Sequence, residues 1–349
     1  MLWWGHFDLN YSRNRIIHQI LTELGWTVTY FRPRLSFIGD WEALFENFPK
    51  PDLIWVPCFR QRDMMAASRW AKRNSIPVIF DPLISAYDKQ VNERKKFKIN
   101  SLRAKYLLMW ERDLFRKADI ILADTYSHAD YFSHTFKIDH EKITVVYVGA
   151  ESNLFFPSSL LNSVSRKTIE FLFYGSFIHL QDPRVIIEAA RIYRGPPVNW
   201  TLLGQGPLLK ECQQRSVGLA NVTFENWLPY EQLPNRMRKA DVLLGIFGDT
   251  PKAARVIPNK VFQSLACGRP VITRQANAYP QTLLNDSTTG LVWCPENDPI
   301  ALAQLVAHLA ENSAERAKLA IAAAETSNKY FSLSILREQL KIALTRLVY

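Results

Sequence analysis

Short apolar runs alternate with longer amphipathic stretches along the whole chain, and this alternation constrains the fold more than any other feature. It is typical of βα units, in which helices connect the strands of a parallel sheet. The first half contains candidate strands at Leu2 to Gly5, Thr27 to Phe31, Leu53 to Pro57, Val78 to Asp81, Ile120 to Asp124 and Ile143 to Val148. The second half contains candidates at Ile169 to Tyr174, Trp200 to Leu203, Val222 to Trp227, Val242 to Phe247, Pro270 to Thr273 and Gly290 to Trp293. The sequence therefore predicts an α/β protein with two successive doubly wound parallel sheets.

The length of 349 residues suits two domains of ordinary size. Between Gly149 and Lys167 the pattern gives way to Ser, Asn and Pro, which predicts a linker. We expect one Rossmann-like domain over residues 1–150, a second over 151–330, and a C-terminal helix over 331–349 that crosses back to the first. One continuous helix is predicted from about Val91 to Ala118. Ligands of such folds bind at the carboxyl ends of the strands, so a cleft between the domains is expected.

The formal net charge of +10 favours an anionic partner, which nucleotide phosphates, nucleic acid or an acidic membrane surface could each supply. Apolar runs are about four residues long, whereas a membrane span needs roughly 20. The first five residues read as a strand rather than a signal peptide, so we expect a cytoplasmic protein. The four cysteines are scattered without metal-binding or disulfide spacing.

The segment from Gly245 to Ile272 carries the strongest chemical signal and reads as strand, loop, helix and strand. Pro258 and Asn259 stand where the helix begins, and Gly268 can end it. A helix amino terminus flanked by Arg255 and Lys260 is a suitable site for a diphosphate, because free N–H groups and cations meet there. The alternative is that the two cations form a solvated loop edge.

This segment resembles the family-4 retaining glycosyltransferases, in which a similar Leu-Ala-x-Gly-x-Pro-Val-Ile run occurs. The resemblance extends over most of the chain and rests on the order of its motifs. Those in the second half are Tyr174 to Gln181, Leu203 to Gly206, Leu228 to Tyr230 and Ala240 to Leu244. Those in the first half are Gly5 to Asn14, Phe80 to Pro82, Ala118 to Thr125 and Val148 to Gly149. It implies the GT-B fold, with two Rossmann-like domains facing each other across a cleft.

The sequence departs from the family pattern at two acids, since Gln263 and Arg255 occupy the expected positions. The resemblance implies a ribose contact for Gln263, which can form hydrogen bonds without charge. Ser176 and Gln181 stand where the family has the Arg and Lys of its phosphate-binding loop. We therefore expect Arg255 and Lys260 to stabilise the phosphates during catalysis.

Other donor-binding candidates follow from the same resemblance. Gly175 and Ser176 end one strand, while Gly204 and Gly206 keep a neighbouring turn open, although a Gly-x-Gly pair can also be a tight turn only. Trp227 and Leu228 follow the strand whose loop recognises the nucleotide base in the family.

In the first domain, a polar loop follows the first strand and resembles the family's loop over the reaction centre. Its candidate acceptor-side residues are Gly5, Asp8, Tyr11, Arg13 and Asn14, with His6 as a catalytic candidate. Asp81 follows the fourth strand and is expected to orient the acceptor hydroxyl or touch the sugar. The alternative is structural capping, by Asp8 or Asn10 for the first helix and by Asp81 at its own position.

A basic run could bring the protein to an anionic membrane, although a solvated helix face is the ordinary explanation. Its members are Arg94, Lys95, Lys96, Lys98, Arg103 and Lys105, interleaved with Phe97, Leu102, Tyr106 and Leu107. Such a contact would make the enzyme peripheral on the inner face of the cell membrane.

These observations predict a retaining glycosyltransferase that moves a sugar from a nucleoside-diphosphate sugar to a glycan, lipid-linked or small-molecule acceptor. The family implies front-face transfer, with no cofactor and no metal. A catalytically silent nucleotide-sugar-binding partner and a GT-B-fold epimerase are the alternatives. Nucleic-acid binding is not expected, because no recognisable binding module accompanies the charge.

Overall fold

The computed structural model describes residues 1–157 and 168–347. The chain divides into two compact units, the first formed by Met1–Gly149 together with the chain from Leu333 onward, the second by Ala150–Ser332. The predicted linker falls largely on residues 158–167, outside the described residues.

The first unit is built on a parallel sheet that has six strands within the described residues. These are β1 (Leu2–Trp4), β2 (Thr29–Phe31), β3 (Ile54–Val56), β4 (Val78–Phe80), β5 (Ile120–Ala123) and β6 (Ile143–Val145), in the order β2-β1-β3-β4-β5-β6. Every residue of β1, β3, β4 and β5 is buried, because helices cover both faces of the sheet. The helices are α1 (Ser12–Glu23), α2 (Gly39–Glu42), α3 (Met64–Asn74), α4 (Leu102–Arg116) and α5 (Tyr126–Phe136).

The second unit contains a second parallel sheet, also of six strands within the described residues. These are β7 (Ile169–Ser176), β8 (Val198–Gln205), β9 (Val222–Glu225), β10 (Val242–Leu244), β11 (Val271–Arg274) and β12 (Leu291–Cys294), in the order β12-β11-β10-β7-β8-β9. Its helices are α6 (Arg184–Ile192), α7 (Leu209–Arg215), α8 (Leu233–Lys239), α9 (Asn259–Ala266), α10 (Gln281–Leu284), α11 (Pro299–Glu311) and α12 (Ser313–Phe331). The prediction of two parallel α/β sheets is confirmed.

The last helix, α13 (Leu333–Thr345), belongs to the first unit, where it packs against β6 and α1. Gln339 accepts a hydrogen bond from the backbone N–H of Tyr147 at 3.1 Å, and Arg346 donates to the Thr144 hydroxyl at 3.0 Å. The chain therefore ends its described part on the sheet with which it began.

The continuous helix predicted from Val91 to Ala118 is wrong. The structure has a short π-helical segment, Asp88–Glu93, and then α4, which begins only at Leu102. Between them Asn100 has φ 70°, a left-handed conformation that a helix cannot continue through. Ser101 then caps α4 by accepting the Ala104 N–H at 3.2 Å.

Candidate active site

The central crevice of the second sheet lies between β7 and β10. From β7 the chain proceeds to β8 and β9 on one side, whereas β10, β11 and β12 lie on the other. This reversal is a topological switch point, and ligands of open α/β sheets bind there, beyond the carboxyl ends of the strands. The loops that follow Ser176 and Leu244 form its walls.

Three glycines allow the strand ends and the following turn to approach closely. Gly204 has φ 143°, and a Cβ there would lie 2.0 Å from the Gly175 carbonyl oxygen. Gly175 has φ 142°, and its Cβ would lie 2.6 Å from Gln181 Oε1 and 3.1 Å from Lys260 Nζ. Gly206 also has a positive φ, and its Cβ would collide with the Phe177 backbone. These predicted donor-site glycines thus shape the crevice by having no side chain.

Lys260 lies at the switch point. It is the second residue of α9, whose N-cap is Pro258. Its Nζ donates to Gln181 Oε1 at 2.9 Å, after β7, and to the Gly245 carbonyl at 3.2 Å, after β10. The ammonium lies 3.6 Å from the ring centre of Phe173, and the side chain is only 4% exposed. Burial holds the pKa of Lys260 well below its usual range, because the charged form is desolvated.

Arg255 lies in the turn between β10 and α9, where its backbone N–H donates to the Lys252 carbonyl at 3.0 Å. It is half-buried, as are Pro258 and Asn259. The structure thus brings Lys260 to the centre of the crevice and keeps Arg255 in the loop that leads to the same helix.

Gln263 is buried within a chain of hydrogen bonds. The Tyr174 hydroxyl donates to Gln263 Oε1, and Gln263 Nε2 donates to the Tyr230 hydroxyl at 2.9 Å. Tyr230 in turn donates to a carboxylate oxygen of Glu151 at 2.7 Å. Burial raises the pKa of Tyr174 well above its usual range, so this phenol stays neutral. Gln263 is therefore fixed by protein partners on both ends of its amide.

The remaining donor candidates lie at the same edge of the sheet. Ser176 is the last residue of β7 and pairs with Gln205 of β8. Trp227 and Leu228 follow β9, and Trp227 is 52% exposed. An exposed indole at this edge is free to stack on a planar ring.

In the first unit, Arg13 and Asp81 form a buried ion pair. Arg13 Nε lies 2.9 Å from Asp81 Oδ2, and a second guanidinium nitrogen donates to the carbonyls of Val146 and Tyr147 at 2.6 and 2.9 Å. Asp81 is 1% exposed and Arg13 is fully buried. The pair ties α1 to the ends of β4 and β6, so both side chains already have protein partners.

The other residues of the polar loop differ in their exposure. His6 and Asp8 are exposed, and His6 contacts the Pro33 carbonyl oxygen. Asp8 accepts the Asn10 N–H at 2.8 Å in a turn, whereas the N-cap of α1 is Tyr11, which has no side-chain cap bond. Asn14 donates to the Asp8 carbonyl at 2.7 Å. The alternative in which Asp8 or Asn10 caps α1 is therefore wrong.

Both units match known sequence families. Residues 20–149 match the Glycosyl transferase 4-like domain, and residues 168–312 match Glycosyl transferases group 1. The two matches together cover more than three quarters of the chain. The chain belongs to the glycosyltransferases.

Individual relatives agree with this assignment. The chain is 26% identical over 149 residues to a probable glycosyltransferase, WbjE, of Pseudomonas aeruginosa, which covers 40% of this chain and 36% of the relative. It is 29% identical over 237 residues to the D-inositol 3-phosphate glycosyltransferase of Nocardiopsis dassonvillei, covering 62% of this chain and 54% of the relative. The chain thus spans about a third to a half of the length of these curated relatives.

The fold of this glycosyltransferase is GT-B. Anabaena HepE, solved in complex with UDP, superimposes with a TM-score of 0.73 at 15% identity and covers 99% of both chains. Sucrose-phosphate synthase from Thermosynechococcus elongatus gives a TM-score of 0.75 at 15% identity, covering 99% of this chain and 98% of that one.

Three residues of the hydrogen-bond network around Gln263 were not predicted from the sequence, namely Tyr174, Tyr230 and Glu151. Tyr174 and Tyr230 lie within family motifs but were not assigned roles, because a motif does not show which side chains touch. Glu151 lies 79 residues from the tyrosine it contacts, so no local spacing could reveal it.

Two further observations concern metal-binding clusters and membrane-spanning helices. Among residues 1–157 and 168–347, no group of three or more His, Cys, Asp or Glu side chains is placed to hold a metal ion. Over the same part of the chain, no helix is both long and apolar enough to cross a bilayer.

Proposed function

We propose that this glycosyltransferase moves a sugar from a nucleoside-diphosphate sugar to an acceptor bound by the first unit, with retention of anomeric configuration. The observation that carries the proposal is Lys260, a buried cation donor at the switch point beside the amino terminus of α9. A diphosphate is the part of such a donor that most needs positive charge and N–H groups.

Lys260 would act on the leaving group. Among the described residues its Nζ contacts Gln181 Oε1, the Gly245 carbonyl and the rings of Phe173 and Tyr174, all of them uncharged. A bound diphosphate would supply an anionic partner, favour the ammonium form and be stabilised as the sugar departs with oxocarbenium character. Arg255, from the loop before α9, would add a second cation.

The rest of the donor has matching groups in the second unit. The exposed ring of Trp227 would stack on the base, and the buried chain through Gln263 and Tyr230 would support the ribose side. HepE is described in complex with UDP, which makes UDP the first nucleotide to test. A cytoplasmic location and a reaction without metal belong to the same proposal.

The first experiment is calorimetric titration of the protein with UDP, GDP, ADP and TDP, repeated on Lys260→Ala and Arg255→Ala. Loss of a charge-assisted hydrogen bond should weaken the preferred nucleotide by about tenfold or more in each variant. Lys210→Ala, which removes an exposed lysine from α7, is the matched control and should bind as the parent does. A folded protein that binds none of the four nucleotides would overturn the proposal.

A catalytically silent nucleotide-sugar-binding partner is the second candidate, since the two family acids are replaced by Arg255 and Gln263. Both candidates bind nucleotide, but only an enzyme releases it from the sugar. Incubation with the sugar conjugates of the preferred nucleotide and an acceptor library, followed by mass spectrometry, separates them.

A further inference from the structure

The first unit contains a cavity of about 670 Å³ that the proposed donor chemistry does not use. It lies beyond the carboxyl ends of β3 and β4 and is closed on one side by α4. Its walls are Phe59 to Arg62, residues around Ile84 to Gln90, Lys96 and Phe97, and the α4 residues Tyr106, Leu107 and Trp110.

The charge of this cavity has one sign. Within the described chain its lining includes Arg60, Arg62, Lys89 and Lys96, and no Asp or Glu. Arg60 is held in place by the buried Asp63, with Nε 2.6 Å from the carboxylate. Arg62 and Lys96 are exposed to solvent and can turn toward a ligand. A cavity with this lining attracts an anion.

The wall also carries four aromatic side chains. Phe59, Phe97, Tyr106 and Trp110 all line the cavity. Tyr106 is 73% exposed, and Leu102 and Met109, one turn away on either side along α4, are 84% and 63% exposed. Together they continue an apolar face from the cavity along the surface of α4. The anion that fits here therefore carries an apolar group.

The cavity wall is rigidly built. Glu111 of α4 accepts the N–H groups of Ala86 and Tyr87 at 2.6 and 2.8 Å and the Ser85 hydroxyl at 2.7 Å, which fixes the loop after β4. On the opposite side Phe59, with φ 65°, packs edge-on against Tyr11 at 4.9 Å. A non-glycine residue in this conformation stores strain, a feature that clusters at ligand sites.

The cavity also adjoins the loop expected to face the acceptor. A Cβ on Gly5 would lie 2.9 Å from Asp63 Oδ2 and 3.1 Å from Arg60 Nε. The loop after β1 therefore touches the basic wall of the cavity directly.

We infer that this cavity binds a phosphate-bearing amphiphile, with the phosphate between Arg62 and Lys96 and the apolar group on Tyr106 and Trp110. If the proposed function holds, this amphiphile is the acceptor, a lipid-linked rather than a free sugar.

Geranyl diphosphate is a suitable probe, because it carries both features and is small enough for the cavity. Calorimetric titration should show binding that Arg62→Gln/Lys96→Gln weakens by about tenfold or more. Arg103→Gln/Lys105→Gln removes two exposed cations of the same basic run that do not line the cavity, and should leave binding unchanged. Tyr106→Ala should weaken geranyl diphosphate more than inorganic pyrophosphate, because only the former packs on the ring.

Three results would overturn the inference. If geraniol binds as tightly as geranyl diphosphate, the cavity does not recognise the phosphate. If glucose 1-phosphate or pyrophosphate binds as tightly as geranyl diphosphate, the cavity does not recognise the apolar group. Equal affinity in both double variants would place the probe elsewhere.

Failure of the cavity inference can be distinguished experimentally from failure of the proposed function. Lys260→Ala should bind geranyl diphosphate normally and UDP weakly. UDP binding without geranyl diphosphate binding defeats only the cavity inference, whereas the reverse result defeats only the donor proposal.

Discussion

Lys260→Met should remove a pH dependence of stability that the buried lysine imposes on the second unit. The Lys260 side chain is 4% exposed, and burial lowers its pKa well below the ordinary 10.5 because the charged form is desolvated. Between that lowered pKa and 10.5 the unfolded chain binds one more proton than the native protein. The free energy of unfolding therefore falls as pH falls through this window, by at most about 1.4 kcal/mol per pH unit.

The assay is urea unfolding at several pH values from 6 to 10, followed by circular dichroism. Every titrating group other than Lys260 is common to the parent and Lys260→Met, so the difference between their unfolding free energies isolates this lysine. That difference should favour the variant increasingly as pH falls from 10, and should level off below the lowered pKa. Lys210→Met, on the exposed face of α7, should give a curve parallel to the parent.

Parallel curves for the parent and Lys260→Met would refute the reasoning, because they would mean that Lys260 titrates normally in the native state. The same desolvation has a consequence for binding. A diphosphate that restores the ammonium form must be accompanied by proton uptake wherever free Lys260 is neutral, so UDP affinity should rise as pH falls through this window.

Two further substitutions test the packing of the second unit. Gly204→Ala places a Cβ 2.0 Å from the Gly175 carbonyl oxygen and should lower the free energy of unfolding by on the order of 3 kcal/mol or more. Gly218→Ala is the control: Gly218 has φ 86° but open space around it, so the loss should be only about 1 kcal/mol. Thermal unfolding of both variants measures the two losses. Gln263→Glu should lower the free energy of unfolding by about 3 kcal/mol, and adding Glu151→Gln should restore much of that loss. If the effects of the two substitutions are additive in a double-mutant cycle, the hydrogen-bond chain between Gln263 and Glu151 is contradicted.

The two sheets could be predicted from the sequence because strands buried on both faces appear as short apolar runs, as in Ile54–Val56 and Ile120–Ala123. The break before α4 could not be predicted, because the helical spacing of apolar residues continues through it. In the structure Asn100 adopts a left-handed conformation and Ser101 caps a new helix. The position of Lys260 at the start of a helix could be predicted, because a helix start has a local sequence signature. Its hydrogen-bond partner Gln181 lies 79 residues away in the sequence, and no local sequence pattern indicates a contact between residues so far apart.

The direction of the hydrogen bonds through Gln263 explains why an amide, and not the acid expected from the family resemblance, suits position 263. The single hydroxyl proton of Tyr230 is donated in a hydrogen bond to Glu151, so the Tyr230 oxygen acts as an acceptor toward Gln263. Only a side chain with an N–H donor fits there, and the amide also provides the oxygen that Tyr174 needs. A glutamate at 263 would direct a carboxylate at that acceptor, in a site where Glu151 is itself 3% exposed. Glu151 thus supplies the carboxylate of this network from another part of the chain, and an amide at 263 is the side chain that these hydrogen bonds require.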